Sequence, residues 1–191
     1  GFRVCQAFLG AKIHDAKDPG ADLAGMLVQV VGAVFDLMET YTPCWTGVIQ
    51  AEDVPLFGFP HGVGLEPVSV NVERMLGIFR QGARDLVEVW RHALAPDTMT
   101  AVAALATADQ RPFHFDDALW VRVVFDFALA YHRRARVADQ LLRSLVPLYL
   151  GRTASFVIEG AESDADEVES RIRALADEFL RQKAYLLERW T

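Results

Sequence analysis

The segment FHFDDALWVRVVFDFALAYHRRAR, residues 113–136, is the only long stretch of this chain whose apolar side chains nearly encircle a helix. On one face, apolar residues recur at spacings of one, three and four, which places their side chains on the same side of a helix. These residues are Leu119, Trp120, Val123, Val124, Phe127, Ala128 and Tyr131. Val121, Phe125 and Leu129 make the opposite face apolar as well. The pattern predicts one helix, buried at the centre of the protein.

The charged residues of this segment agree with the same helix. Asp116 and Asp117 stand where a helix needs an N-terminal cap and negative charge, and the basic run at 132–136 stands where positive charge is favourable. Arg122 and Asp126 are the only charges inside the helix, four residues apart and opposite in sign. We interpret them as a structural ion pair in an apolar setting.

The composition is that of an ordinary globular domain. The 191 residues are 52% hydrophobic and 24% charged, which is enough to bury one substantial core. A net charge of −7 and a pI of about 5.2 disfavour a nucleic-acid-binding surface. Cys5 and Cys44 form neither a disulfide framework nor a zinc motif, which favours the reducing cytoplasm. No uninterrupted apolar run reaches membrane-spanning length and no signal peptide is recognisable, so we expect no membrane partner.

Periodicity predicts further helices around the central one. They are expected near residues 21–41, 71–94, 96–108, 116–135, 137–158 and 164–189, with residues 113–136 the most buried. Asn71 is predicted to cap the second of these, with a hydrophobic staple between Val70 and Met75.

Two further signals concern helix ends. Ser163, with Asp166 three residues later, is predicted to cap the last helix. Pro147 predicts a kink or a break in the helix that contains it.

Residues 2–9 alternate as a strand covered on both faces does, and no second convincing strand follows. Because a lone strand is unstable, we expect its neighbours outside this sequence. The chain also begins without Met and already inside this pattern, which leads us to expect that an upstream segment has been removed.

The loop that follows, GAKIHDAKDPG at 10–20, is dense in titratable side chains. His14 and Asp15 are able to coordinate a divalent cation, and Lys12 and Lys17 are able to neutralise phosphate or carboxylate groups of a substrate. A single His beside one Asp is not a metal motif, so on spacing alone a solvated turn is the favoured interpretation.

The remaining candidates have equally plain interpretations. Arg111 and His114 precede the central helix and are expected to satisfy backbone or cap groups there rather than to bind a ligand. His61 has no partner set nearby, and His92 and His132 lie near predicted helix ends, where a cation is favourable.

Three segments carry a resemblance to a known family. GAKIHDAKDPGADLAGMLVQVVGAVF at 10–35, PFHFDDALWVRVVFDFALAYH at 112–132 and LLRSLVPLYLGRTASFV at 141–157 resemble, in order and spacing, parts of mannosylglycerate and glucosylglycerate synthases. These are nucleotide-sugar-dependent, retaining glycosyltransferases in which a catalytic domain of the GT-A type, a Rossmann-like open sheet, precedes a helical domain.

The resemblance implies a division of this chain and a fold class. Residues 1–19 would be the end of a truncated GT-A catalytic domain, a strand with a metal-site loop, and residues 20–191 a mainly α, bundle-like C-terminal domain. The Asp-x-Asp that binds metal and nucleotide diphosphate in the family would lie upstream, since the Asp164–Asp166 pair stands at a helix start far downstream.

The resemblance also implies a chemistry. The intact enzyme, a hexosyltransferase, would transfer a sugar from a nucleotide-sugar donor to a small anionic, glycerate-like acceptor, with retention, in the synthesis of a compatible solute. His14 lies where the family has a ligand to Mg²⁺ or Mn²⁺, which reverses the preference for a solvated turn. Asp15 and Lys17 would bind diphosphate or acceptor. Lys17 replaces an expected acceptor-binding aromatic, and a lysine suits glycerate or its phosphate.

A second interpretation belongs to a different class of protein. The chain would then be a non-catalytic all-α module that binds a small molecule or dimerises. A homo-oligomer is also a possible state of this chain. The predicted strand at 2–9 and the charged loop at its end favour the enzyme over the module, whereas this chain alone would be inactive under both.

Overall fold

The computed structural model describes residues 4–9, 23–50, 54–59, 70–109, 112–134 and 137–190. This part of the chain is mainly helical, as the sequence predicts. Its helices are α1 Leu23–Thr40, α2 Thr42–Trp45, α3 Val72–Asp85, α4 Val87–Ala93, α5 Pro96–Thr107, α6 Asp117–His132, α7 Ala138–Glu159, α8 Ala165–Arg181 and α9 Lys183–Leu187. Two short strands, β1 Gln6–Ala7 and β2 Leu56–Phe57, complete the described elements.

Helices α6 and α7 lie together at the centre of the bundle. α3 packs along α7, α1 lies against both α6 and α7, and α4, α5, α8 and α9 contact α6. Eight of the 16 residues of α6 are buried, and so are 11 of the 22 residues of α7. The prediction of a buried central helix within residues 113–136 is therefore confirmed, with Asp117–His132 as its bounds. The prediction that these residues are the most buried is wrong, because the same fraction of α7 is buried and α7 shares the central position.

α7 is also long and apolar enough to cross a membrane, as judged by length and composition alone. However, 61% of its most apolar 18-residue window is buried inside the protein, as in the core helix of a soluble protein. Pro147 is itself buried within α7, and the helix is continuous through it from Ala138 to Glu159, so of the predicted kink or break the break does not occur.

The predicted caps at two helix starts are confirmed. Asn71 Oδ1 accepts a hydrogen bond of 2.9 Å from the backbone N–H of Arg74, and Val70 packs beside the fully buried Met75. At the start of α6, Asp116 Oδ2 accepts from the N–H of Leu119 at 3.1 Å. Each cap accepts a hydrogen bond from a backbone N–H group that has no acceptor within the first turn of its helix.

The cap predicted for the last helix is wrong by one residue. Asp164 Oδ1 accepts from the N–H of Glu167 at 2.9 Å, and the Asp164 N–H donates to Glu167 Oε2 at 3.2 Å. The longer side chain of Glu167 reaches back to the cap, which closes a capping box. Ser163 instead forms part of a turn, since its N–H donates to the carbonyl of Gly160 at 3.1 Å.

Two predicted helices are each divided into two. The helix expected at 71–94 breaks at Leu86, and the break directs Trp90 into the core, where its indole N–H donates to the carbonyl of Ser144 at 2.9 Å. The helix expected at 164–189 breaks at Gln182, after which Tyr185 is buried against α6.

The prediction that β1 has no partner in this chain is wrong. β1 and β2 pair in parallel, with hydrogen bonds of 2.9 Å from Gln6 N–H to the carbonyl of Pro55 and from Phe8 N–H to that of Phe57. The strands are also exposed rather than covered on both faces. A two-residue strand inside a stretch rich in Gly and Pro is too short for periodicity to reveal.

Candidate functional site

The site residues predicted from the resemblance, His14, Asp15 and Lys17, lie outside the described residues. The same holds for Arg111 and His61. Their assignments therefore stay predictions. The described residues form polar clusters of their own, and these lie around the central helices.

Asp126, in the second half of α6, is the centre of the most buried polar cluster among the described residues. Its side chain is only 3% exposed. Oδ2 accepts from the backbone N–H of Ala95 at 2.9 Å, and Oδ1 accepts from the hydroxyl of Tyr185. One carboxylate thus joins the α4–α5 link and α9 to the central helix, and both donors are neutral.

The predicted ion pair between Arg122 and Asp126 is wrong. Arg122 Nε donates to Gln182 Oε1 at 2.6 Å, and its guanidinium lies 3.8 Å from the centroid of the Tyr185 ring. The break at Gln182 brings both of these partners to α6. Tyr185 therefore contacts both charged side chains: the Arg122 guanidinium lies over its ring, and its hydroxyl donates to Asp126.

Tyr185 is held as a neutral hydrogen-bond donor. Burial, with the hydrogen bond to Asp126 adding to it, raises the pKa of Tyr185 to about 12. A second guanidinium, that of Arg189, lies 4.0 Å from the ring centroid, a cation–π distance. At neutral pH the hydroxyl accordingly positions Asp126 and is not itself a base.

A cavity of about 320 Å³ opens beside this cluster. Apolar residues such as Leu94 and Leu129 line it together with Asp126, and Arg133 and Arg189 also border it. Arg133 donates to the backbone carbonyl of Arg189 at 2.9 Å, which holds the Arg133 guanidinium beside the Arg189 backbone. Apolar walls with a few polar groups are typical of small-molecule sites.

A second polar cluster joins α7, α8 and the loop before α6. Ser155 Oγ accepts from the N–H of Phe115 at 2.7 Å and donates to Glu159, whose Oε1 also lies 2.7 Å from His114 Nδ1. Arg171 pairs with the other oxygen of Glu159. Glu159 therefore connects Ser155, His114 and Arg171 through its two carboxylate oxygens.

This second cluster contains a serine, a histidine and an acid, but it is not a nucleophilic triad. Ser155 is fully buried, and its hydroxyl donates to Glu159 rather than to His114. A triad needs the base beside the serine and the acid behind the base. Burial alone would raise the pKa of Glu159, but the hydrogen bonds from Ser155 and His114 lower it, so the carboxylate remains charged as a structural acceptor.

A further cavity, of about 530 Å³, lies between α1 and the end of α6. Tyr131 donates to Asp36 Oδ1 at 2.7 Å, and His132 Nδ1 lies 2.7 Å from Glu39 Oε1. The bond to Asp36, followed by burial, raises the pKa of Tyr131 to about 12. The His132 ring also stacks on Trp190, with centroids 4.2 Å apart. The two contacts with Asp36 and Glu39 hold α1 against α6. Local sequence patterns do not predict any of these contacts, because the partners are more than 50 residues apart.

Within the described residues, no group of three or more His, Cys, Asp or Glu side chains is placed to hold a metal ion. The expected Mg²⁺ or Mn²⁺ site thus depends on His14 and on residues that the described part does not contain.

Comparison of the chain with protein-family models, with curated proteins and with solved structures finds no match. Its function is therefore inferred from its own residues and from the resemblance of the three segments.

Proposed function

We propose that this chain is the helical C-terminal part of a nucleotide-sugar-dependent, retaining glycosyltransferase of the mannosylglycerate and glucosylglycerate synthase type. The observation that carries the proposal is the packing of the three resembling segments. The described residues of these segments form most of α1, α6 and α7, and these three helices contact one another pairwise. The three segments that resemble the family are therefore neighbours in the fold as well as in the order of the sequence.

The exposed face of α1 supports a neighbouring domain. Five apolar side chains at spacings of three and four are 47–55% exposed, and these are Met26, Val30, Val34, Leu37 and Tyr41. The opposite face, with Val31, Phe35 and Met38, packs into the core. A helix that is apolar on both sides is usually covered on both sides.

The proposal names what covers this face. α1 directly follows residues 1–19, which the proposal assigns to the catalytic domain. We infer that the catalytic domain packs on the exposed stripe of α1, because a chain that passes from one domain into a helix brings that helix to the domain boundary.

The proposed chemistry places this chain's loop residues around the donor diphosphate. His14 would offer a neutral imidazole nitrogen as one metal ligand, and Lys17 would face an anionic acceptor or a phosphate. A bound divalent cation would act as a Lewis acid on the departing diphosphate. The other metal ligands and the nucleotide pocket would lie upstream, so residues 1–191 alone should be catalytically silent. The two free cysteines, Cys5 and Cys44, are consistent with the proposed cytoplasmic location.

The test is sugar transfer to glycerate and to phosphoglycerate by the intact protein, measured against Mg²⁺ and Mn²⁺ concentration for a panel of sugar nucleotides. His14→Ala should remove most metal-dependent transfer with no change in far-UV dichroism, whereas His92→Ala, at an exposed position on α4, should leave transfer unchanged. The transfer activity of Asp15→Asn shows whether Asp15 binds the metal directly or only orients another group, because the amide keeps the shape of the side chain and loses its charge. Unchanged activity of a folded His14→Ala protein would refute the metal assignment.

The alternative, a non-catalytic all-α module, is favoured by the same exposed stripe if a second copy covers it. Light scattering tests the dimerising form of this module. A dimer of residues 1–191 that Leu37→Glu converts to a monomer would favour that form, and a monomer without the substitution would exclude a dimer built on this stripe.

A further inference from the structure

We propose that the cavity beside Asp126 binds a small zwitterion of the amino-acid type, with its ammonium group on Asp126 and its carboxylate on Arg133 and Arg189. This inference concerns residues far from the proposed metal loop in sequence and does not depend on glycosyl transfer.

The first observation is the state of Asp126. A buried aspartate is normally paired with a cation, because burying an isolated charge is costly. Among the described residues Asp126 forms no ion pair, and its two hydrogen-bond donors, the Ala95 N–H and the Tyr185 hydroxyl, are neutral. A carboxylate has about four lone-pair sites, so Asp126 retains room for further donors. An ammonium group supplies both the charge and the hydrogen bonds.

The second observation is the positive charge that borders the same cavity. Arg133 and Arg189 border the same space as Asp126. Arg133 donates to a backbone carbonyl, and Arg189 donates to the carbonyl of Tyr185 at 3.2 Å and lies 3.3 Å from the exposed Glu188. A guanidinium has five N–H donors, so both side chains retain donors for a carboxylate.

The third observation is size. At about 320 Å³ the cavity is at the small end of ligand sites, a size that suits a molecule as small as an amino acid. The apolar part of the lining, including Leu94, Leu129 and Ala130, suits a short aliphatic side chain. One cavity bordered by an acid, by two arginines and by apolar side chains has a group for each of the three parts of an aliphatic amino acid.

The experiment measures binding to the full chain by calorimetry with four matched probes. L-leucine carries both charged groups. In 2-hydroxy-4-methylpentanoate a hydroxyl replaces the ammonium group, and 4-methylpentanoate has neither the ammonium nor the hydroxyl. The fourth probe, 3-methylbutylamine, keeps the ammonium group and lacks the carboxylate. L-leucine should bind with a dissociation constant of millimolar or below, and each of the other three at least about tenfold more weakly, the cost of losing one charged contact.

Variants locate the site. Asp126→Asn should weaken L-leucine at least about tenfold, and it should still fold, because the amide oxygen can accept from Ala95 while its NH₂ donates to Tyr185. Arg189→Gln should weaken L-leucine but not 3-methylbutylamine. Arg143→Gln, which removes an exposed and ion-paired arginine from α7, is the control and should change nothing.

Three results would overturn the proposal. They are no millimolar binding of L-leucine to the unmodified chain, equal binding of L-leucine and 4-methylpentanoate, and unchanged L-leucine binding by Arg189→Gln or by a folded Asp126→Asn chain. The probe series on the unmodified chain keeps the proposal testable even if Asp126→Asn does not fold.

Discussion

Phe127 shows what a single residue of the central helix contributes. Its side chain is fully buried on α6. Phe127→Ala should lower the free energy of unfolding by about 3–5 kcal/mol, because the change removes a large ring and leaves a cavity. Glu169→Ala, at an exposed position paired with Arg173 on α8, should cost less than about 0.5 kcal/mol. Urea denaturation measures both, and equal midpoints for the two variants would show that α6 is not central.

Glu159 makes the stability of the fold depend on pH. Burial would raise its pKa, but the hydrogen bonds from Ser155 and His114 prevail and lower it below the ordinary value of 4.5. A carboxylate with a lowered folded pKa stabilises the protein above its unfolded pKa, and this contribution disappears as the pH falls through the folded pKa. Glu159→Gln should therefore lower the melting temperature at neutral pH, and the difference from the unmodified chain should shrink in acid.

The control for this measurement is Glu162→Gln, an exposed acid three residues further along the chain. It should leave the melting temperature almost unchanged throughout. The difference in melting temperature between Glu159→Gln and the unmodified chain could instead stay constant into strong acid. That result would show that the charge of Glu159 is not what stabilises the cluster.

At the same scale, the sequence predicts local contacts but not distant ones. Asn71 and Asp116 are recognisable as caps because a cap bonds to an N–H only three residues away. Arg122 is predicted to pair with Asp126 because they share a helix face, but its actual partner, Gln182, lies 60 residues further along. No single-residue signal shows that a later helix breaks at that position.

At the scale of elements, the contact between α3 and α7 depends on small residues. A Cβ added to Gly151 of α7 would lie 2.8 Å from the Phe79 ring of α3, whereas a Cβ added to Gly77 of α3 would meet nothing within 4 Å. Gly151→Ala should therefore destabilise the protein by about 1–3 kcal/mol through overpacking. Gly77→Ala should stabilise it by up to about 1 kcal/mol through helix propensity.

Thermal denaturation of the two glycine variants tests the packing directly, since the substitutions are chemically identical and both positions are helical. If Gly151→Ala were as stable as Gly77→Ala, α3 and α7 could not approach as closely as described.

Helix existence is predictable because apolar periodicity is a property of each segment alone. All six predicted helices are present, two of them divided at Leu86 and Gln182. The divisions depend on where Trp90 and Tyr185 find space in the core, which is a property of the whole bundle. The apolar pattern that nearly encircles α6 identifies it as a central helix, because that pattern belongs to its own segment. That α7 is equally central depends on how the helices pack, which the sequence of one segment does not contain.

At the scale of the whole molecule, exposed apolar surface is distributed unevenly. Of the 16 large apolar side chains exposed in the described residues, 14 lie between residues 4 and 59. The described residues from 70 onward thus have a largely polar surface, whereas α1 and the strand pair do not. Large exposed apolar patches mark surfaces that contact another protein, which is why the stripe on α1 supports a catalytic domain as neighbour.

The last prediction concerns this stripe. Val30→Lys combined with Leu37→Lys places two charges on side chains that are 55% and 54% exposed. In residues 1–191 alone the pair should cost less than about 1 kcal/mol in total, because exposed substitutions cost about 0.5 kcal/mol or less each, and it should reduce binding of a hydrophobic dye. In the intact protein the same pair should lower both the melting temperature and sugar transfer, because it would place charges in the inferred domain interface.

Ile172→Lys is the matched control, since Ile172 is also 54% exposed but lies on α8, away from the stripe in sequence. It should leave both the short chain and the intact protein unchanged. A large loss of stability by the double variant in residues 1–191 alone would mean that this chain itself covers the stripe. An intact protein indifferent to the double variant would mean that no catalytic domain packs there, because two buried lysines without partners cannot be accommodated in an apolar interface at no cost.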